Sequence, residues 1–218
     1  NKHCLFTTSN SSLPKPLKTH SAVKCLEFSN LNANAATRLI GQLFNNNHIA
    51  SRLLDLIIQQ TNGNPLFIEE FIFVLKKRKL IHKVNGEFNL TYEAQLADMP
   101  KTLSETVQEK QSLLADSHEV LQLAAIIGNE INFEMLNATS NMDEVQLHLA
   151  LEELIAYEFI YRRIKTNGDS FVFKHPAIRE VVLDSIPDTL KNAYQSSVAN
   201  FIELQVNNSD SGLRIPIS

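Results

Sequence analysis

His175 stands directly before Pro176, and Arg179 follows one helical turn later. A residue before proline is biased to extended backbone, and proline itself suits the first turn of a helix. His175 therefore sits at the mouth of a helix, where a neutral imidazole can accept from N–H groups that lack an intrahelical partner. Imidazole as a side-chain type can gain a proton within the physiological pH range, so a contact between such a ring and an anion would depend on pH. Lys76-Lys77-Arg78-Lys79 place four cations at the end of a helical stretch. They suit the free carbonyls there, and a phosphate or nucleic-acid contact is the alternative. Glu69 and Glu70 interrupt an apolar run at its second turn. Solvation is the expectation for both, and pairing with a basic group outside the chain is the alternative. No glycine is followed by lysine, so the phosphate-cradling P-loop pattern is absent. No zinc spacing and no Ser/His/Asp constellation stand out. The chain by itself is expected to catalyse nothing.

These residues need elements to hold them, and the clearest is a corner at Thr61-Asn62-Gly63-Asn64-Pro65. An amphipathic helix from about Ile49 to Gln60 runs into it, burying Leu53, Leu56 and Ile57. Gly63 can take positive φ and close that helix. Asn64 can cap the next one, with Pro65 at its first position. The second helix, Pro65 to about Lys77, is apolar almost all round and belongs in the middle of a small bundle. A further helix spans Asn34 to Phe44. Leu80 to Leu90 reads as a hairpin turned by Asn85-Gly86. Thr91 to Pro100 reads as a linker.

Beyond it, Thr102 and Glu105 fit a reciprocal capping box, opening a helix to about Leu114. Helices follow to Ile127, over Phe133 to Ala138, and from Asp143 to about Tyr157. A second hairpin turns at Asn167-Gly168. Pro176 opens a helix through Asp184, and another runs from Pro187 to about Leu204. Asn207 to Gly212 reads as flexible. Three helices, a hairpin and a helix are the order of a winged-helix domain. At the start, Cys4 to Thr8 and Val23 to Phe28 read as short strands joined by a loop.

The fold expected is mainly α with small β-hairpins: a strand remnant over 1–30, a helical lid over 31–98, a winged-helix domain over 99–186 and a C-terminal helix and tail over 187–218. The 218 residues are 44% hydrophobic and 20% charged, an ordinary globular balance. No apolar run reaches the ~18 residues of a membrane span. A net charge of −4 gives no overall attraction to nucleic acid or anionic membrane. Residue 1 is Asn, and the chain is read as a piece of a longer protein. Cys4 and Cys25 fit a reducing compartment as free thiols, with a disulfide between them left open.

Several segments carry a family resemblance. Gly63-Asn64-Pro65-Leu66-Phe67-Ile68-Glu69-Glu70 resembles the "GNPLF-x-EE" segment of signal-transduction ATPases of the STAND/AAA+ type. Such modules occur in LuxR-type transcription regulators and in multidomain adenylyl cyclases and kinases. Val120 to Gly128 resembles their "LxxAAVIG" helix, Leu151 to Ile160 their "LxxLxxxxLI" helix, and Phe171 to Glu180 their "YxFxHxxIRE" segment. The matches follow the family's order over about Leu5 to Glu203. The resemblance implies an AAA+ helical lid followed by a winged-helix domain, binding ATP/ADP as a switch. It implies Gly63, Asn64 and Pro65 on the adenine side, and His175 with Arg179 on the phosphate side. Where the family often ends a strand in Thr-x-Arg near the γ-phosphate, this chain has Thr8-Ser9-Asn10, which lacks the cation.

The resemblance further implies that Mg²⁺ enters only through an NTPase core upstream, which is the expected partner alongside effector or output domains. A cytoplasmic setting is expected. Nucleic acid is not, because the helix from Asp143 to Glu158 carries five acids and no Lys or Arg. Arg162, Arg163, Lys165 and Lys174 nevertheless make a basic wing. A nucleic-acid-binding winged helix and a protein–protein scaffold are the rival readings.

Overall fold

The computed structural model describes residues 29–45, 47–91, 99–165 and 168–211. The expected strands over 1–30, Asn10, Cys4 and Cys25, most of the expected linker, and Asn167 lie outside them. The described chain is mainly helical, with two three-stranded sheets.

The first unit holds α1 (Ala33–Leu43), β1 (His48–Ile49), α2 (Ser51–Thr61), α3 (Pro65–Lys77), β2 (Ile81–Val84) and β3 (Glu87–Leu90). Asn32 caps α1, its side chain accepting from Ala35 N–H. The helix expected from Ile49 starts later. Ile49 lies in β1 and pairs in parallel with Phe88, and the Ala50 N–H donates to the Phe88 carbonyl at 2.9 Å. The hairpin claims those two residues before α2 can begin. Asn85 (φ 50°) and Gly86 (φ 87°) make the turn between β2 and β3. The core gathers Ile40, Phe44, Leu53, Ile57, Phe71 and Leu75 among others, with α3 at its centre.

The second unit holds α4 (Leu103–Ser112), α5 (His118–Ile127), β4 (Glu130–Asn132), α6 (Phe133–Thr139), α7 (Glu144–Ala156), β5 (Ile160–Lys165), β6 (Gly168–Phe173), α8 (Pro176–Ser185) and α9 (Asp188–Ser211). β4 lies between the second and third helices of the expected domain and joins the hairpin as a third strand, in the order β4-β6-β5, all antiparallel. Three residues with one buried side chain, Ile131, leave too little periodicity for sequence to reveal. The capping box at α4 is half made. Glu105 N–H donates to the Thr102 hydroxyl at 3.1 Å, but the Glu105 carboxylate accepts from Lys101 N–H at 2.6 Å rather than from Thr102. A complete box forms instead at α7, between Asp143 and Gln146. α9 stays helical through Asn207 to Ser211, where a flexible stretch was expected. Its earlier turns are anchored in the second core by Leu190, Tyr194 and Val198, and a helix once nucleated propagates cheaply.

The two cores are distinct. Leu103 packs against both, and Leu66 of α3 reaches the second. Helix α4 packs on α3 at one side and on α8 at the other. No described helix is long and apolar enough to cross a membrane.

Both hairpins are entered through the same kind of helix end. After α3, Lys79 (φ 56°) donates its N–H to the Lys76 carbonyl and Leu80 donates to Leu75. After α7, Glu158 (φ 54°) donates to Ile155 and Phe159 donates to Leu154. Each is a Schellman ending whose left-handed position, the usual place of glycine, is held by a charged residue.

Candidate functional site

The corner forms as its residues dictate. Asn62 (φ 48°) and Gly63 (φ 70°) both turn left-handed. The Asn64 side chain accepts from Phe67 N–H at 3.1 Å, and Pro65 takes the first position of α3, exposed to solvent. Gly63 is required twice over. Its φ is positive, and a Cβ would stand 2.2 Å from the Leu31 carbonyl oxygen, in the close approach where the Gly63 carbonyl accepts from Leu31 N–H at 2.9 Å.

His175 is exposed and caps α8, with its Nδ1 accepting from Ala177 N–H at 3.1 Å. That contact selects the tautomer with the proton on Nε2, leaving Nε2–H as a donor. Arg179 turns inward, its Nε donating to the Ala125 carbonyl at 2.8 Å, which fastens α8 to α5. No hydrogen bond links the Gly63-Asn64-Pro65 group to His175 or Arg179 among the described residues. What joins them is the residue before His175.

Lys174 Nζ lies 3.0 Å from Glu70 Oε1, 2.9 Å from Glu158 Oε2 and 3.3 Å from Glu69 Oε2. The other Glu70 oxygen is 2.6 Å from Lys110 Nζ, and the Glu70 and Lys110 side chains are both 0% exposed. Lys110 also donates to the Glu158 carbonyl at 3.1 Å and sits 4.6 and 4.5 Å from the ring centres of Phe73 and Phe159. The acids that follow the Gly63-Asn64-Pro65 corner thus meet the lysine that precedes His175 across the boundary between the two cores. Solvation, the expectation for Glu69 and Glu70, is overturned for Glu70, which is sealed on the inner face of α3; Glu69 stays partly exposed while sharing Lys174.

The charges respond as this geometry requires. Burial pushes the Lys110 ammonium below the ordinary lysine value, and the Glu70 carboxylate offsets only part of that. Burial acts the same way on Lys174. There the Glu70 charge and the bonds to Glu158 and Glu70 outweigh it, so its pKa lies above the ordinary value. Burial alone would raise the Glu158 carboxyl; its bond to Lys174 and the charges of Lys174, Lys110 and Lys76 hold it below the usual range instead.

Lys110 escaped sequence reasoning, although a signal existed. It stands three residues after Val107 and four before Leu114, in line with two apolar side chains that are buried. The basic run at the end of α3 finds partners close by. Lys76 donates to the Leu43 carbonyl at 2.9 Å, Lys77 lies 4.1 Å from the Tyr157 ring centre, and Arg78 pairs with Glu109 at 2.7 Å. On the second hairpin, Arg162 pairs with Glu152 at 2.8 Å and Arg163 with Glu130 at 3.8 Å. A shallow depression of about 390 Å³ lies elsewhere, lined by Arg52, Asp55, Leu56, Gln59 and Leu90, and includes none of the candidate residues.

Residues 32–89 match a family described as a domain of unknown function (DUF8739). The match runs through the first unit from the cap of α1 into β3. No curated protein matches the chain.

Proposed function

We propose that this chain is the lid and winged-helix part of an ATP/ADP-binding switch of the STAND/AAA+ type, acting in signal transduction or transcription regulation. The observation that carries the reading is the meeting of Lys174 with Glu69 and Glu70. Two segments that resemble the family, 104 residues apart, make one contact. Support for the winged helix comes from three helices followed by a hairpin, with β4 completing its sheet. The first unit, three helices with a hairpin, supports the lid.

The residues present fit the edges of a nucleotide site. Pro65 offers an exposed apolar surface at a rigid corner. His175 keeps Nε2–H as a donor while Nδ1 caps its helix, so capping and a phosphate contact are compatible. Arg179 holds α8 in place rather than reaching outward with its Nε. A bound nucleotide would supply the anionic charge that such a donor recognises, with Mg²⁺ held by an upstream NTPase core. The partners in this reading are that core and the output domains.

A nucleotide shifts a conformational balance only through contacts it makes better in one state. The test uses the protein with its upstream region. Melting temperature is followed against ADP concentration, and stabilisation that saturates with ADP is expected. An ADP-independent melting temperature at millimolar ADP would overturn the reading. The wing's arginines and Lys174 are engaged by carboxylates, and α7 is acidic, which weighs against nucleic acid as the partner.

A further inference from the structure

We propose that Glu69, Glu70, Lys110, Glu158 and Lys174 form a reversible latch between the two units, with Glu158 as the residue kept for that purpose. It deepens the switch reading and rests on it only for what would control the opening.

Glu158 is a poor choice for its own surroundings. It occupies the left-handed end of α7 at φ 54°, where a side chain is strained and glycine is favoured. It also places a negative charge at a helix C-terminus, where the dipole disfavours anions. The matching position after α3 holds Lys79, whose charge suits that end. A residue that conflicts with local structure persists when distant contacts require it. Here those contacts are explicit. The left-handed turn delivers both ends of Glu158 to the seam, its carbonyl to Lys110 at 3.1 Å and its carboxylate to Lys174 at 2.9 Å.

The seam has the character of a joint that opens. The first core closes around α3 and the second around α5 and α7, with Leu103 packed on both and Leu66 reaching across. Between them, beside the Phe73–Tyr157 ring contact, lie charged groups, and charged groups gain favourable hydration when separated, whereas apolar surface does not. Glu69 and Glu158 are already partly exposed at the rim, at 34% and 48%. Separation therefore begins at Lys174, the most accessible of the two lysines.

The experiment uses the full chain with Cys4 and Cys25 replaced by serine and spin labels on His82→Cys in β2 and Val145→Cys in α7, both exposed positions. Distances between the labels are read by pulsed electron paramagnetic resonance. Glu158→Gly removes the carboxylate while relieving the backbone, so α7 keeps its ending. About a tenfold increase in a longer-distance population is expected, with the helical circular dichroism unchanged. Glu158→Gln, which keeps the shape and loses the charge, should move in the same direction. Distance distributions unchanged in both variants would overturn the latch. Loss of helical signal in both would also overturn it, because a latch is dispensable to the fold of each unit. An ADP-insensitive parent protein in which Glu158→Gly still lengthens the distance would sink the switch and leave the latch standing.

Discussion

Glu70 and Lys110, forty residues apart in sequence, meet at 2.6 Å with neither side chain open to solvent. Each is secured by a second partner, Lys174 for Glu70 and the Glu158 carbonyl for Lys110. A buried pair contributes little net stability over an apolar pair of the same size, but removing one member strands a charge in the interior.

Glu70→Ala should therefore destabilise the protein by about 3–5 kcal/mol in urea unfolding. Glu70→Leu combined with Lys110→Met removes both charges and should recover most of that loss. A double variant as unstable as the single one would show that the pair itself, rather than the stranded charge, carries the stability.

Gly63 and Gly86 separate backbone strain from steric exclusion. Both have positive φ, but a Cβ at Gly86 meets nothing within 4 Å, whereas at Gly63 it collides with the Leu31 carbonyl. Gly86→Ala should cost about 1 kcal/mol, the expense of a left-handed L-residue. Gly63→Ala should cost at least about 2 kcal/mol more, because the strand of chain at Leu31 must move as well. Equal losses in chemical denaturation would remove the close approach as the reason for Gly63.

The acid side of the stability profile should depend on Glu158. Its folded pKa is held below the ordinary carboxylate value of 4.5, so its contribution is fully present above that pH. The contribution is lost as pH falls through the lower folded value. Lys174, held above the ordinary value, contributes in the opposite sense and loses its effect only as pH rises past the folded pKa, above 10.5. Glu158→Gly should flatten the decline in unfolding free energy below about pH 4.5 relative to wild type. Parallel curves through that window would contradict the assigned charge environment. Glu153 retains its own acid dependence in the variant: burial would raise it, but the Ser117 hydroxyl and neighbouring N–H groups hold it below the usual range.

His175→Asp distinguishes the cap from the phosphate contact. Aspartate caps a helix at least as well as histidine, and its charge suits the N-terminus. Without nucleotide, the variant should equal or exceed wild type in melting temperature. In the protein with its upstream region, the added anion should oppose a phosphate and reduce the ADP-induced shift. A full ADP shift in the variant would leave His175 with its structural role alone.

Local signals were legible because the residues that make them are adjacent. Asn64-Pro65, Asn85-Gly86 and His175-Pro176 each fix their element from within a few positions, and the helices they bound fall where periodicity places them. The seam was not legible, because Glu70 finds one partner 40 and another 104 residues away. Nothing within a turn of Glu70 distinguishes a solvated acid from a sealed one. Ile49 and β4 were missed for a related reason, since two- and three-residue strands are defined by the strand that receives them.

The span between Glu70 and Lys174 also sets an order of events in time. Closing a loop of 104 residues is entropically expensive before other contacts exist, whereas the helices and hairpins on either side form from near neighbours. Each unit therefore assembles first, and the seam joins them last. Charge removal at Lys174 should accordingly quicken unfolding several-fold while leaving the refolding rate nearly unchanged. The lysine that closes the joint would govern how long the protein stays assembled, and hardly at all how fast it gets there.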